Sequence, residues 1–272
     1  MNALIEQCSV CPRLCRHACP VATATGREAA VPSLIASAIH AWSRGWLSPE
    51  LAGNAASLCV DCDACREACH LHADLPGELR AVRRRLLRPA PMEPLGPIEG
   101  DAELVVIEAD TRSFAAALGQ VLGVPVARLR TADALGVHAI DSALWPARVH
   151  ALRSKLKSRS LVTADGGVVR ALTSAALPVR WLHELVDLHQ PVRDSCASNG
   201  AAEGLRCCGG AGPLAAEHPA DAERMARVWA AAQPDAPVAD ARCAGLCRRA
   251  GAPVVDAIDL LLLRLGTPQE AP

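Results

Sequence analysis

The sequence predicts an α+β protein: a helical N-terminal part carrying eight cysteines, then an α/β cysteine-rich part built as two related halves. Three observations lead there. Apolar residues recur at helical spacing in "VPSLIASAIHAWSRGW" (31–46) and "PGELRAVRRRLLR" (76–88). Downstream, short apolar runs alternate with helical ones, the pattern of a parallel sheet. Between the two, "RPAPMEPLGPIEG" (88–100) holds four prolines, which fix φ and remove backbone donors, so no helix or central strand continues through it.

The elements follow in order. "PGELRAVRRRLLR" reads as a helix starting near Pro76, with Arg80, Arg83, Arg84 and Arg88 expected on a solvated face. "ELVVIEA" (103–109) suits a buried strand, "SFAAALGQVL" (113–122) a helix and "VPVARLR" (124–130) a strand. "ARVHALRSKLKS" is helical, "SLVT" strand-like, and "DAERMARVWAAAQ" and "VVDAIDLLLLRL" carry the alternation to the end. The expected boundaries are a helical domain over 1–88, a linker over 89–100, and α/β halves over 101–190 and 191–272.

The halves share a weak repeat. "LVTADGGVVRAL…LPVRWLHELVDL" aligns with "PVADARCAGLCRRAGAPVVDAIDLLL" about 75 residues later. In that alignment Cys243 and Cys247 stand where the first copy has Gly166 and Arg170. One half looks metal-binding and the other keeps only the scaffold.

At 272 residues there is room for one large or two ordinary domains. Hydrophobic residues reach 51 % with aromatics at 2 %, so aliphatic side chains and alanine build the core. Lys+Arg 28 against Asp+Glu 29 gives no excess of either sign that would draw nucleic acid or lipid. The N-terminus shows no basic segment followed by an apolar one, and no apolar run approaches 18 residues. The expectation is a cytoplasmic chain with no membrane span, free or membrane-associated through a partner.

Thirteen cysteines dominate the composition. The count is odd and the expected compartment reducing, which argues against a disulfide framework and for metal binding. "CVDCDACREAC" places Cys59, Cys62, Cys65 and Cys69 at the spacing of bacterial-type ferredoxins, where the fourth cysteine ligates the other cluster. "CSVCPRLCRHACP" is a second run, Cys8, Cys11, Cys15 and Cys19, with one extra residue in its middle gap and the expected proline after its last cysteine. Zinc is the alternative for such runs, but four cysteines within eleven residues crowd one tetrahedral ion. Exchanging fourth ligands gives two [4Fe–4S] sites: Cys8, Cys11, Cys15 and Cys69, and Cys59, Cys62, Cys65 and Cys19.

The other five are Cys196, Cys207, Cys208, Cys243 and Cys247. Neighbouring Cα atoms lie about 3.8 Å apart, so a Cys207–Cys208 disulfide is strained and adjacent ligands of one centre are the better reading. Gly209 and Gly210 let the backbone turn tightly behind the thiols. Buried structural thiols and zinc are the alternatives to a cluster. His183 and Glu184 lack a second histidine at metal-binding spacing, and Asp165 reads as a turn residue. No phosphate loop and no nicotinamide or flavin fingerprint is present.

"CCGGAG", preceded by the cysteine of "RDSC" and followed by a cysteine pair about 35 residues on, resembles the cysteine-rich CCG domain. That domain occurs in heterodisulfide reductase subunits and in iron–sulfur subunits of glycolate oxidase, lactate-utilisation proteins and anaerobic glycerol-3-phosphate dehydrogenase. "TGREAAVPSLIASAIHAW", between the two cysteine runs, is similar to the linker of the same proteins. Family members commonly carry two metal-binding halves; here only the second has cysteines. The resemblance implies a ferredoxin-type domain joined to a CCG domain, with two [4Fe–4S] clusters and a third cluster or zinc at the CCG site. It implies an electron-transfer subunit of a 2-hydroxy acid or glycerol-3-phosphate dehydrogenase type, fed by a flavin dehydrogenase subunit or another redox protein. Disulfide reduction at the CCG site is the alternative, and a non-enzymatic redox-responsive or scaffold protein a further one.

Overall fold

The computed structural model describes residues 3–12, 14–87, 95–108, 113–130, 135, 144–188, 210, 213–232, 237–238 and 240–265. In chain order these form α1 (Ala3–Ser9), a 3-10 turn (Leu14–Ala18), α2 (Pro20–Thr25), a second 3-10 turn (Glu28–Ala30), α3 (Pro32–Ser43), α4 (Pro49–Ser57), α5 (Ala64–Glu67) and α6 (Leu75–Leu86). There follow β1 (Ile98–Glu99), β2 (Leu104–Glu108), α7 (Ala115–Leu122), β3 (Val126–Arg130), α8 (Trp145–Leu156), β4 (Ser160–Thr163), α9 (Gly166–Ser174), β5 (Val179–Trp181) and α10 (Leu182–Leu185). The last helices are α11 (Pro213–Glu217), α12 (Pro219–Ala231), α13 (Ala241–Arg249) and α14 (Ala257–Arg264). Helix and sheet both contribute, as an α+β reading requires. Among the described residues no helix is long and apolar enough to cross a membrane.

The chain divides into two compact units. The first holds residues 1–89, 196–234 and 246–252; the second holds 90–195, 235–245 and 253–272.

In the first unit, proline opens helix after helix: Pro20, Pro32, Pro49 and Pro219 stand where a missing amide costs nothing. Ser48 and Asp74 cap α4 and α6, accepting from the amides of Leu51 and Gly77. Ile35 and Ile39 of α3, Leu79 of α6 and Ile5 of α1 are buried. The stretch 213–231, read from the sequence as part of the 191–272 half, packs in this unit. Its α12 lies against α2, buries Ala222, Met225, Ala226 and Trp229, and joins Asp221 to Arg27 at 2.6 Å.

In the second unit one five-stranded sheet has the order β1-β3-β2-β4-β5. β2 pairs in parallel with β3 and β4, and β4 with β5. Val105, Val106 and Ile107 are buried, as expected of a central parallel strand covered on both faces. Leu118, Val162, Leu182, Ile258 and Leu261 belong to the core that covers it. β1 is an addition to the expected order: Ile98 and Glu99, inside the proline-rich stretch, pair antiparallel with Leu129 and Arg128. Proline nearby is compatible with a two-residue edge strand.

One local arrangement recurs at an offset of 75 residues. Thr163 pairs with Trp181, and Val238 forms a parallel bridge with Asp256. Helices α9 and α13 follow with nine residues each. Asp165 accepts from the amide of Val168, and Asp240 accepts from the amide of Cys243. The match sets Cys243 and Cys247 opposite Val168 and Leu172, two residues from the Gly166 and Arg170 expected from sequence. The side-chain cap fixes the register, and gap placement in a weak alignment could not.

Candidate metal centres

Cys8 ends α1, and Cys11 follows in a turn closed by its own amide on the Cys8 carbonyl at 3.3 Å. Cys15 rides the 3-10 turn, and Cys69 leaves α5 with its amide on the Arg66 carbonyl. Cys11, Cys15 and Cys69 lie near enough to Cys8 for their charges to act on it. The Cys8 thiol is pushed up to about 11, first by burial and then by the negative forms of Cys11, Cys15 and Cys69.

The second set is built by a tight coil. Asp61 and Asp63 both take left-handed φ, 53° and 58°, on either side of Cys62. Aspartate tolerates that region better than most residues. With the chain so wound, Cys59, Cys62 and Cys65 border a small pocket partly open to solvent, and Cys19 at the start of α2 borders it from another segment. Val21, Ile35, Val60 and Leu79 supply much of its apolar wall. Burial drives the Cys65 thiol strongly up, followed by Cys59, Cys62, Cys15 and Cys19. Burial also raises Cys59 and Cys19. Cys15 feels Cys11, Cys19 and Cys69 after its own burial, so it stands between the two sets.

Beside the second set lies an ion pair that charge-pattern reasoning assigned to solvent. Arg83 and Asp61 are both fully buried, with Nη2 donating to Oδ2 at 2.5 Å and Nη1 to the Ala56 carbonyl at 3.3 Å. Arg80 lies 4.0 Å from the same carboxylate. The Asp61 amide points at the Cys59 sulfur at 3.4 Å. Arg84 is exposed as expected, and Arg88 lies outside the described residues. An arginine on the inner face of α6 carries the same letter as one on its outer face; the apolar spacing of Leu79 and Val82 was the available signal.

The Thr25–Glu28 segment braces this region. Gly26 turns the chain out of α2 at φ 66°, and Glu28 takes both guanidinium nitrogens of Arg16, next to Cys15.

Of the last five cysteines, Cys196, Cys207 and Cys208 lie outside the described residues. Cys243 and Cys247 stand one turn apart on α13, both fully buried. The unit boundary falls between them, and each has its own neighbours. The Cys243 sulfur lies 3.4 Å from Asp240 Oδ2, and the Cys247 sulfur 3.9 Å from the Ala226 carbonyl. Burial and then the charge of Asp165 push the Asp240 carboxyl up to about 6. Asp165 is more than a turn residue: it caps α9 and holds Arg242 at 2.9 Å. His183 tilts against Trp181, with ring centres 5.4 Å apart.

Among the described residues, no three His, Cys, Asp or Glu side chains converge on a point for a single metal ion. The second thiol set instead surrounds a cavity. Four soft sulfur donors and a wall that is apolar apart from Asp63 suit an iron–sulfur cluster, whose ligands are thiolates. In comparisons with family models, curated proteins and solved structures, nothing matches the chain.

Proposed function

We propose that this chain is an iron–sulfur electron-transfer subunit of a multi-subunit oxidoreductase. The observation that carries the reading is the grouping of the eight N-terminal cysteines. Cys69 sits with Cys8, Cys11 and Cys15, and Cys19 borders one cavity with Cys59, Cys62 and Cys65. That grouping supports the fourth-ligand exchange used by two-cluster ferredoxins. Each set would hold one [4Fe–4S] cluster, a group that takes up and releases single electrons.

The chain's own residues supply the rest. Val21, Ile35 and Leu79 give the second set an apolar wall, while Cys15 lies near thiols of both sets and gives a short route between them. The donor in this reading is a flavin dehydrogenase subunit of the 2-hydroxy acid or glycerol-3-phosphate type, and the acceptor a quinone or another carrier. The motif resemblance of the C-terminal cysteines supports that assignment and supports a third cluster or zinc at Cys196, Cys207, Cys208, Cys243 and Cys247. It also leaves the chain at home in the cytoplasm, alone or on a membrane through its partner.

The test is anaerobic mixing of the iron-loaded chain with photoreduced free flavin. Visible absorbance should bleach and return when a soluble quinone is added. Absorbance that free flavin and dithionite both leave unchanged contradicts a relay.

A further inference from the structure

The two thiol sets differ in what surrounds them. Beside Cys15 the Arg16–Glu28 pair is open to water, exposing roughly half of both side chains. Water and salt screen such pairs, so they act weakly on a nearby centre. Around the Cys59 set the pair is sealed. Asp61 and Arg83 expose nothing, and Arg80 adds a second guanidinium 4.0 Å from the same carboxylate. Asp61 also sets its Oδ1 3.6 Å from the Cys59 sulfur, so carboxylate and guanidinium act on that ligand in opposite senses where Coulomb interactions are strong. The Asp61 amide, 3.4 Å from the Cys59 sulfur, ties that group to the ligand set.

From this arrangement we propose that Arg83 and Asp61 tune the reduction potential of the Cys19–Cys59–Cys62–Cys65 centre by opposing action, Arg83 raising it with help from Arg80 and Asp61 lowering it. The inference rests on the reading of those cysteines as cluster ligands. Uptake of an electron adds one negative charge to the centre. Burial and the Asp61 carboxylate oppose that change, and the Arg83 guanidinium favours it; net charge, sulfur hydrogen bonds and solvent exposure are the protein's levers on such potentials. Arg83 and Asp61 therefore pull in opposite directions.

The test is an EPR-monitored redox titration of the anaerobically loaded chain. The centre in question is identified as the signal lost in Cys59→Ser. Arg83→Met should lower its midpoint and Asp61→Asn should raise it, each by at least tenfold in the reduced-to-oxidised ratio at fixed potential, about 59 mV for one electron. Arg80→Gln should lower it less. The other centre should stay put in all three. A purely structural pair would cost iron in both variants alike and would not give shifts of opposite sign. If Arg83→Met fails to fold, Asp61→Asn and Arg80→Gln carry the same opposite-sign test. Full iron content with unmoved midpoints, or shifts of one sign, overturns the proposal while leaving the relay reading intact. A chain that binds no iron overturns both.

Discussion

Cys19 and Cys65 border one cavity although they come from different cysteine runs, and the charge of one opposes ionisation of the other. The charge of Cys69 likewise opposes ionisation of Cys8. In the proposed reading each run lends its last cysteine to the other, and paired substitutions test this directly. Cys19→Ser should abolish one EPR signal, and adding Cys59→Ser should abolish no more. Cys19→Ser with Cys8→Ser should abolish both. Loss of both signals in the Cys19–Cys59 pair, with only one lost in the Cys19–Cys8 pair, would show that each run keeps its own cluster.

Removing the metal should weaken one unit and spare the other. All eight candidate ferredoxin-type ligands belong to the first unit, while the sheet core of Val106, Leu118 and Val162 belongs to the second. Metal binding is part of folding free energy where a site is made only in the folded state. Oxidative stripping with a chelator should therefore lower hydrogen-exchange protection across α1–α6 and leave β2–β4 protected. Equal loss in both units would contradict this division.

Much of the fold was legible because it rests on pattern. β2, β3 and β4 are short apolar runs, and α3, α6 and α7 show helical spacing flanked by proline or glycine. The cysteine spacings carried the two candidate sites for the same reason: ligand geometry constrains local sequence. What stayed hidden depends on partners far along the chain. The spacing of Leu79 and Val82 marks the inner face of α6, but nothing local shows that Arg83 finds a partner there, because that partner is an aspartate at position 61. Nor does the composition of α12 reveal that Met225 and Trp229 face the first unit. The register of the repeat needed the Asp165 and Asp240 caps, visible only once the helices begin.

The close approach at Gly166 gives a stability prediction. A Cβ there would lie 2.6 Å from the Trp181 ring and 2.7 Å from Asp240 Oδ2. Such overpacking costs about 1–3 kcal/mol. Denaturant melts of Gly166→Ala should show a loss of that order in the second unit. A neutral or stabilising effect would mean that the Trp181 ring moves away freely.

Met225 tests the placement of α12. It is fully buried in the first unit, so Met225→Ala should cost about 2–5 kcal/mol. Exchange protection should fall in α2 and α4, which pack on α12 and on α11 respectively. Unchanged protection there would contradict the packing.

The central claim is that the N-terminal cysteines hold two iron–sulfur clusters. The most direct measurement is iron and acid-labile sulfide per chain on anaerobically purified protein, with low-temperature EPR, repeated on Cys207→Ser/Cys208→Ser. The account predicts about eight irons and eight sulfides that survive in the variant, any excess over eight disappearing with the C-terminal thiols. A chain purified without iron or sulfide, or holding only zinc, would contradict it.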